Sequence, residues 1–127
     1  MAIKVSANNL SVVLEKMLGE YTESVRHGIK KDIRDVAAQC RDEIKTKSPV
    51  DTGRYRAGWS IRTAFESLDD IRMEVYNRSK PELTHLLENG HAKVNGGRVA
   101  GRPHIRPAEQ HAVKELDSRV KVTVGKG

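Results

Sequence analysis

Residues 59–77, "WSIRTAFESLDDIRMEVYN", hold two alternating runs joined by the turn-like link "ESLDD". Trp59, Ile61 and Thr63 alternate with Ser60, Arg62 and Ala64, and Ile71, Met73 and Val75 alternate with Arg72, Glu74 and Tyr76. A period of two sends every second side chain to one face, so the pattern predicts an antiparallel hairpin over 58–77 with one buried face. Such a face needs a cover.

The cover is written upstream. Leu10, Leu14, Met17, Tyr21, Val25, Ile29, Ile33, Val36, Cys40 and Ile44 recur at steps of three and four, the spacing of an amphipathic helix. At about 100° per residue the stripe drifts by roughly 160° from its first member to its last, too far for one straight helix on one core. With Gly19 and Gly28 as break points, the helical region 8–46 divides into a short helix over 8–18, capped by Asn8 or Asn9, and a longer one over 20–46. Ser48-Pro49 stops the second. Its stripe from Val25 to Ile44 is expected to pack on Trp59, Ile61, Met73 and Val75.

Between helix and hairpin lies "SPVDTGRYRAG", which contains Asp51-Thr52-Gly53, the triplet that carries the catalytic carboxylate in aspartic proteases. Those enzymes need two carboxylates that share one proton on turns leaving apolar strands. Here the triplet follows a charged helix and a Ser-Pro break, and Arg54 and Arg56 would hold Asp51 ionised. The structural reading explains more. Asp51 or Thr52 caps a short helix, Arg54 pairs with an acid such as Asp51, and Gly53 allows a conformation or a close approach that a side chain would block.

Downstream, Pro81 to Asn89 reads as a short helix, with Pro81 in its first turn and Gly90 at its stop. "HAKVNGGRVAGRPHIRP" is glycine-rich and basic and predicts a mobile loop over 90–106, a length that is unusual unless functional. Pro107 opens a last helix over 107–119, and Val120, Val122 and Val124 alternate as a terminal strand over 120–124. The whole is a single α+β domain over 1–127: a long, broken N-terminal helix packed on a small antiparallel sheet, with a C-terminal helix and a long glycine-rich loop.

Composition narrows the function. With 127 residues, 37% of them hydrophobic and 4% aromatic, the core is small and aliphatic, as suits a chain that completes its burial by oligomerising. The longest apolar run is three residues, which excludes a membrane-spanning helix. "MAIKVSANN" lacks the apolar region of a signal peptide, and the one cysteine, Cys40, suits a reducing cytoplasm. Residues 93–127 carry eight Lys/Arg against three acids, so the positive charge gathers in the last quarter. That is a solvated tail or a surface for phosphate or an acidic protein.

No catalytic set emerges. His85, Glu88 and His91 have a suggestive spacing, but Gly90 ends their helix and no third ligand follows, so no metal is expected. Gly96, Gly97 and Gly101 lack the preceding strand and following Lys-Ser/Thr of a phosphate loop. Ser48, Ser60 and Ser79 have no nucleophile-elbow context. Arg98, Arg102 and Arg106 could meet a nucleic-acid backbone, yet no stacking aromatic accompanies them.

Taken in order, "SPVDTGRYRAGWSIR", "LTHLLENGHA" and "GRPHIRPAEQHAV" resemble the lambda-like phage head–tail joining proteins, also called tail-completion, neck or minor tail proteins. The matching residues are Pro49, Val50, Asp51, Thr52, Gly53 and Arg54, then Glu88 and Gly90, then Arg102, Pro103, Ile105, Arg106 and Pro107. The likeness covers about residues 10–118, with His104 where an aromatic is common and "VKVTVGKG" as an extra tail. It implies a structural, non-enzymatic virion protein without a cofactor, made in the host bacterial cytoplasm. It also implies a homo-oligomeric ring, hexameric, between the tail tube protein and the head-closure or connector proteins. DNA would pass through without sequence-specific binding. Arg98, Arg102 and Arg106 are the expected partner contacts. The other reading is a basic nucleic-acid-binding accessory protein.

Overall fold

The computed structural model describes residues 3–8, 11–50 and 53–127, with side chains from residue 11 onward. The elements run β1 (Ile3–Asn8), β2 (Ser11–Met17), α1 (Glu23–Lys47), α2 (Arg54–Ala57), β3 (Trp59–Glu66), β4 (Asp70–Asn77), α3 (Pro81–Asn89), β5 (Gly90–Ala92), β6 (Arg98–Ala100) and α4 (Arg106–Lys126). This is the expected α+β architecture, with α1 and α4 packed on each other and α1 also on β3 and β4. The antiparallel sheet has the order β1-β2-β4-β3, and β5 and β6 pair separately.

The hairpin and its cover are as read from the sequence. β3 pairs with β4 from Trp59↔Asn77 to Glu66↔Ile71, with a register shift between Thr63 and Phe65. Val25, Ile29, Ile33, Val36, Cys40 and Ile44 are all buried in α1, and Trp59, Ile71, Met73 and Val75 are buried in the sheet; of the expected β3 face, Ile61 is only half-buried against the core and Thr63 is exposed. Thr22 caps α1, its hydroxyl accepting from the Val25 amide. At the other end the Ser48 hydroxyl donates to the Ile44 carbonyl at 2.6 Å. Burial pushes the Cys40 thiol up to about 12, with Glu43 and Glu109 adding to the rise, so this thiol stays protonated and inert.

Two expectations are corrected. The segment expected as a helix over 8–18 contains strand β2, which pairs with β4 from Ser11↔Tyr76 to Met17↔Asp70. Its inward positions are Val12, Leu14 and Lys16, opposite Val75, Met73 and Ile71. Lys16 is buried with its ammonium 5.5 Å from the Tyr21 ring centroid, and burial lowers its pKa, with Glu20 partly offsetting this. A lysine in an inward position hides the period of two. The cap expected from Asn8 or Asn9 falls away with that helix, and Asn9 lies outside the described residues.

The terminal strand expected over 120–124 is the end of α4. Ala108, Ala112, Leu116 and Val120 form a buried stripe four residues apart that lies on α1. Arg119 to Asp35 at 3.2 Å and Thr123 to Asp32 hold the C-terminal half of α4 along α1. Packing on α1 overrides the β preference of the valines.

Candidate partner interface

The three sequence motifs meet at one end of the sheet. Gly53 stands at the N-cap of α2 with φ 86, a left-handed conformation, and a Cβ there would meet nothing within 4 Å. Of the two roles expected for Gly53, the structure therefore supports conformational freedom and not close approach. Asp51 and Thr52, expected to cap this helix and to pair with Arg54, lie outside the described residues. α2 puts Tyr55 into the core, and Trp59 follows at the start of β3. The Asn77 side-chain amide donates to the Tyr55 carbonyl at 2.6 Å, while its oxygen accepts from the Ser79 and Lys80 amides and so starts the turn into α3.

Glu88, in the last turn of α3, caps a helix that begins much later in the chain. One carboxylate oxygen accepts from the His104 and Ile105 amides at 2.8 and 2.9 Å, and the other accepts from the Arg106 amide at 3.0 Å. These N–H groups stand at the start of α4, where the helix has no carbonyls to offer them and favours negative charge. Pro107 follows in the first turn, where a missing N–H costs nothing. Arg106 thus anchors the return to α4 through its backbone, and its side chain stays exposed.

His104 is fully buried between these parts. Its Nδ1 lies 2.7 Å from the Arg102 carbonyl and 3.0 Å from Glu88 Oε1, both acceptors, so Nδ1 carries the proton. In the neutral ring Nε2 then accepts the Tyr55 hydroxyl, 2.6 Å away. Tyr55, Trp59 and His104 meet edge to face, with centroids 5.6–6.3 Å apart. Thr84 and Trp59 approach the same hydroxyl more loosely, and neither Thr84 Oγ1 nor Trp59 Nε1 completes a hydrogen bond.

Burial pushes the Tyr55 hydroxyl up to about 12, and Glu88 adds to the rise. Because the folded value lies above the unfolded one, near 10, its contribution is complete below pH 10 and is lost as pH rises toward about 12. In urea titrations Tyr55→Phe should cost about 1–3 kcal/mol at pH 8, by leaving His104 Nε2 unpaired. Its gap to wild type should narrow between pH 10 and 12. A gap that stays constant over that range would place the hydroxyl outside this network.

From this node the chain between α3 and α4 projects as an arm. The segment expected as a loop over 90–106 contains the hairpin β5–β6, paired from Gly90↔Ala100 to Ala92↔Arg98. Gly90 has φ 79, and a Cβ on it would lie 2.3 Å from the Val99 carbonyl oxygen and 2.7 Å from the Gly101 amide nitrogen. The Arg102 amide donates to the Leu87 carbonyl at 2.8 Å, closing the root of the arm. Outside the root, the arm is exposed: Lys93, Val94, Arg98, Val99, Arg102 and Pro103 all face solvent. Arg98 donates to the Asn89 carbonyl at 3.0 Å, and no bond forms to the Arg102 side chain among the described residues. Beside the arm, Pro49, Val50, Gly53 and Arg54 line a groove against Lys80, Leu83 and Leu87 of the α3 side.

Of the residues singled out by sequence, Trp59, Glu88, Gly90 and Pro107 are brought into or against the node. Pro49, Gly53 and Arg54 line the neighbouring groove, and Arg98 and Arg102 lie on the arm. The reading passed over Tyr55 and Asn77, and it noted His104 only as a departure.

Residues 13–90, more than half of the chain, match the family HK97-gp10-like, described as "Bacteriophage HK97-gp10, putative tail-component". Among curated proteins and among solved structures, none matches the chain. The matched span takes in α1, the β3–β4 hairpin, α3 and the first residue of the arm. The chain belongs to the HK97-gp10-like family of bacteriophage tail components.

Proposed function

We propose that this protein is a tail-completion subunit that forms a ring, hexameric, at the head-proximal end of the tail and joins the tail tube to the head-closure proteins. Membership of a phage tail-component family supports the setting. The observation that carries the finer reading is the convergence of three separate motifs on one node whose outward product is the basic arm. Among the described residues its two three-residue strands pair only with each other, and an isolated two-stranded hairpin is marginal in water. The arm therefore suits a segment that becomes fixed when a neighbour supplies carboxylates or carbonyls to Arg98 and Arg102.

Electron microscopy of the purified protein, alone and with isolated tails, tests the ring. Rings at one tail end are expected, and bare tail ends beside dispersed monomers would defeat the proposal. Arg98 and Arg102 replaced together by serine should leave the melting temperature unchanged within error and impair head joining several-fold. Wild-type joining by that variant would remove the arm from the interface.

A further inference from the structure

The four-stranded sheet ends in two open edges. Its order β1-β2-β4-β3 leaves β1 paired only with β2, and β3 only with β4, among the described residues. The Arg78 amide donates to the Gly58 carbonyl, which makes Trp59↔Asn77 a pair without mutual hydrogen bonds. Ser60 and Arg62 therefore bond to β4, while Trp59, Ile61 and Thr63 turn their N–H and C=O groups to the open side. On β2 the Leu18 amide donates to the Asp69 carbonyl, so by the same alternation Val12, Leu14 and Lys16 bond to β4. Ser11, Val13 and Glu15 then bond to Asn8, Ser6 and Lys4, which leaves Ile3, Val5 and Ala7 with backbone groups pointing outward. One more surface is unfinished. α1 packs on β4 and β3 and α4 packs on β1, yet on the helix side of β3 only Trp59 is buried; Ile61 is half-buried and Thr63 exposed.

We infer that β3 of one copy of this chain pairs with β1 of the next, antiparallel, with Ile61 opposite Val5 of the next copy. The inference rests on the ring reading above and names the contact that would build it. Four strands in antiparallel alternation leave β1 and β3 running in opposite directions. A copy carried round a ring axis keeps its direction and its faces, so its β1 meets β3 in the sense that continues the sheet. The faces agree as well. Ile61 stands opposite Val75 and Val5 opposite Leu14, both buried on the helix side, so the outward backbone groups of the two edges belong to residues of one face. The register shift between Thr63 and Phe65 ends the regular part of β3 at 59–63, a length that 3–7 of β1 matches. Main-chain hydrogen bonds give an added strand its affinity, and they close edges that would otherwise pair with any chain. The same placement brings the neighbour's α4, which packs on its own β1, toward the strip of Ile61 and Thr63 that α1 leaves uncovered.

Cysteine pairs test the register. Ser60 and Ser6 of the next copy would form a pair without mutual hydrogen bonds, whose Cα atoms stand about 4.5 Å apart, within reach of a disulfide. Inside one copy three strand spacings hold the same residues roughly 14 Å apart, too far to bridge. The chain with Ser6→Cys and Ser60→Cys, oxidised on isolated tails, should give a series of covalent multimers on a denaturing gel that stops at ring size. Either substitution alone should run as a monomer. Lys4→Cys with Arg62→Cys spans the same two strands one position pair away on the same face and should behave alike. Rings from wild type by microscopy, with no multimers from either pair, would overturn the inference and leave the ring reading intact. A covalent dimer from Ser60→Cys alone would mean a two-fold contact of β3 with β3 and overturn it as well. No rings from wild type on tails would remove both.

Discussion

Ile33→Asp is expected to lower stability by about 4 kcal/mol or more, because an unpaired carboxylate would replace a fully buried methyl-rich side chain. Ile33 lies mid-stripe on α1, with Ile29 and Val36 buried on either side of it. The helix is held by β4 on one side and α4 on the other, so it cannot turn the new side chain to water without giving up both contacts. A conservative Ile33→Val should cost only about 1 kcal/mol, which separates the charge from the loss of volume. Urea midpoints for the pair decide the matter. An aspartate variant as stable as wild type would mean that this face of α1 is not the core.

Gly90→Val should be nearly as damaging, for a different reason. Its positive φ alone costs a side chain about 1–2 kcal/mol. In addition, the Cβ would enter backbone of β6 and its successor, which cannot move aside as a flexible side chain can. Relief requires the root of the arm to open, and that pulls the segment 101–104 away from Glu88 and His104 from Tyr55. We expect a total loss above about 3 kcal/mol. Gly53→Val is the control: its φ is equally positive, but open space surrounds it, so only the conformational part, about 1–2 kcal/mol, should appear. Equal melting temperatures for the two variants would show that the root of the arm is looser than the close contacts at Gly90 require.

The sequence was most legible where a single element carries its own signal. α1 shows a long apolar stripe with a proline after its end. The β3–β4 hairpin alternates cleanly, and α3 is bounded by Pro81 and Gly90. Legibility failed where partners distant in the chain decide. At β2, the lysine at an inward position broke the alternation, and the steps Leu10, Leu14, Met17 and Tyr21 imitated a helix. In α4, three alternating valines outweighed a stripe at four-residue spacing that only α1 makes decisive.

The candidate site was legible in the same partial way. Resemblance picked out Glu88 and Gly90 without saying what they do. The reach of Glu88 to amides 16–18 residues later is a property of the folded chain, with no local pattern to announce it.

The place of β2 between β1 and β4 also governs the order of folding. The β3–β4 hairpin needs only a short closure, whereas Ser11 must find Tyr76 across the whole of α1. Closing the longer loop costs more entropy before any contact rewards it, and non-local strand pairing is the slow event in sheets of this kind. On a ribosome adding about 5–20 residues per second, β2 leaves roughly 3–13 s before its partner β4 is complete. Throughout that interval β1 and β2 have only each other, and an isolated two-stranded hairpin is marginal in water, so they stay unsettled until β4 supplies the third strand. The sheet is therefore completed from its middle, by the strand that arrives last.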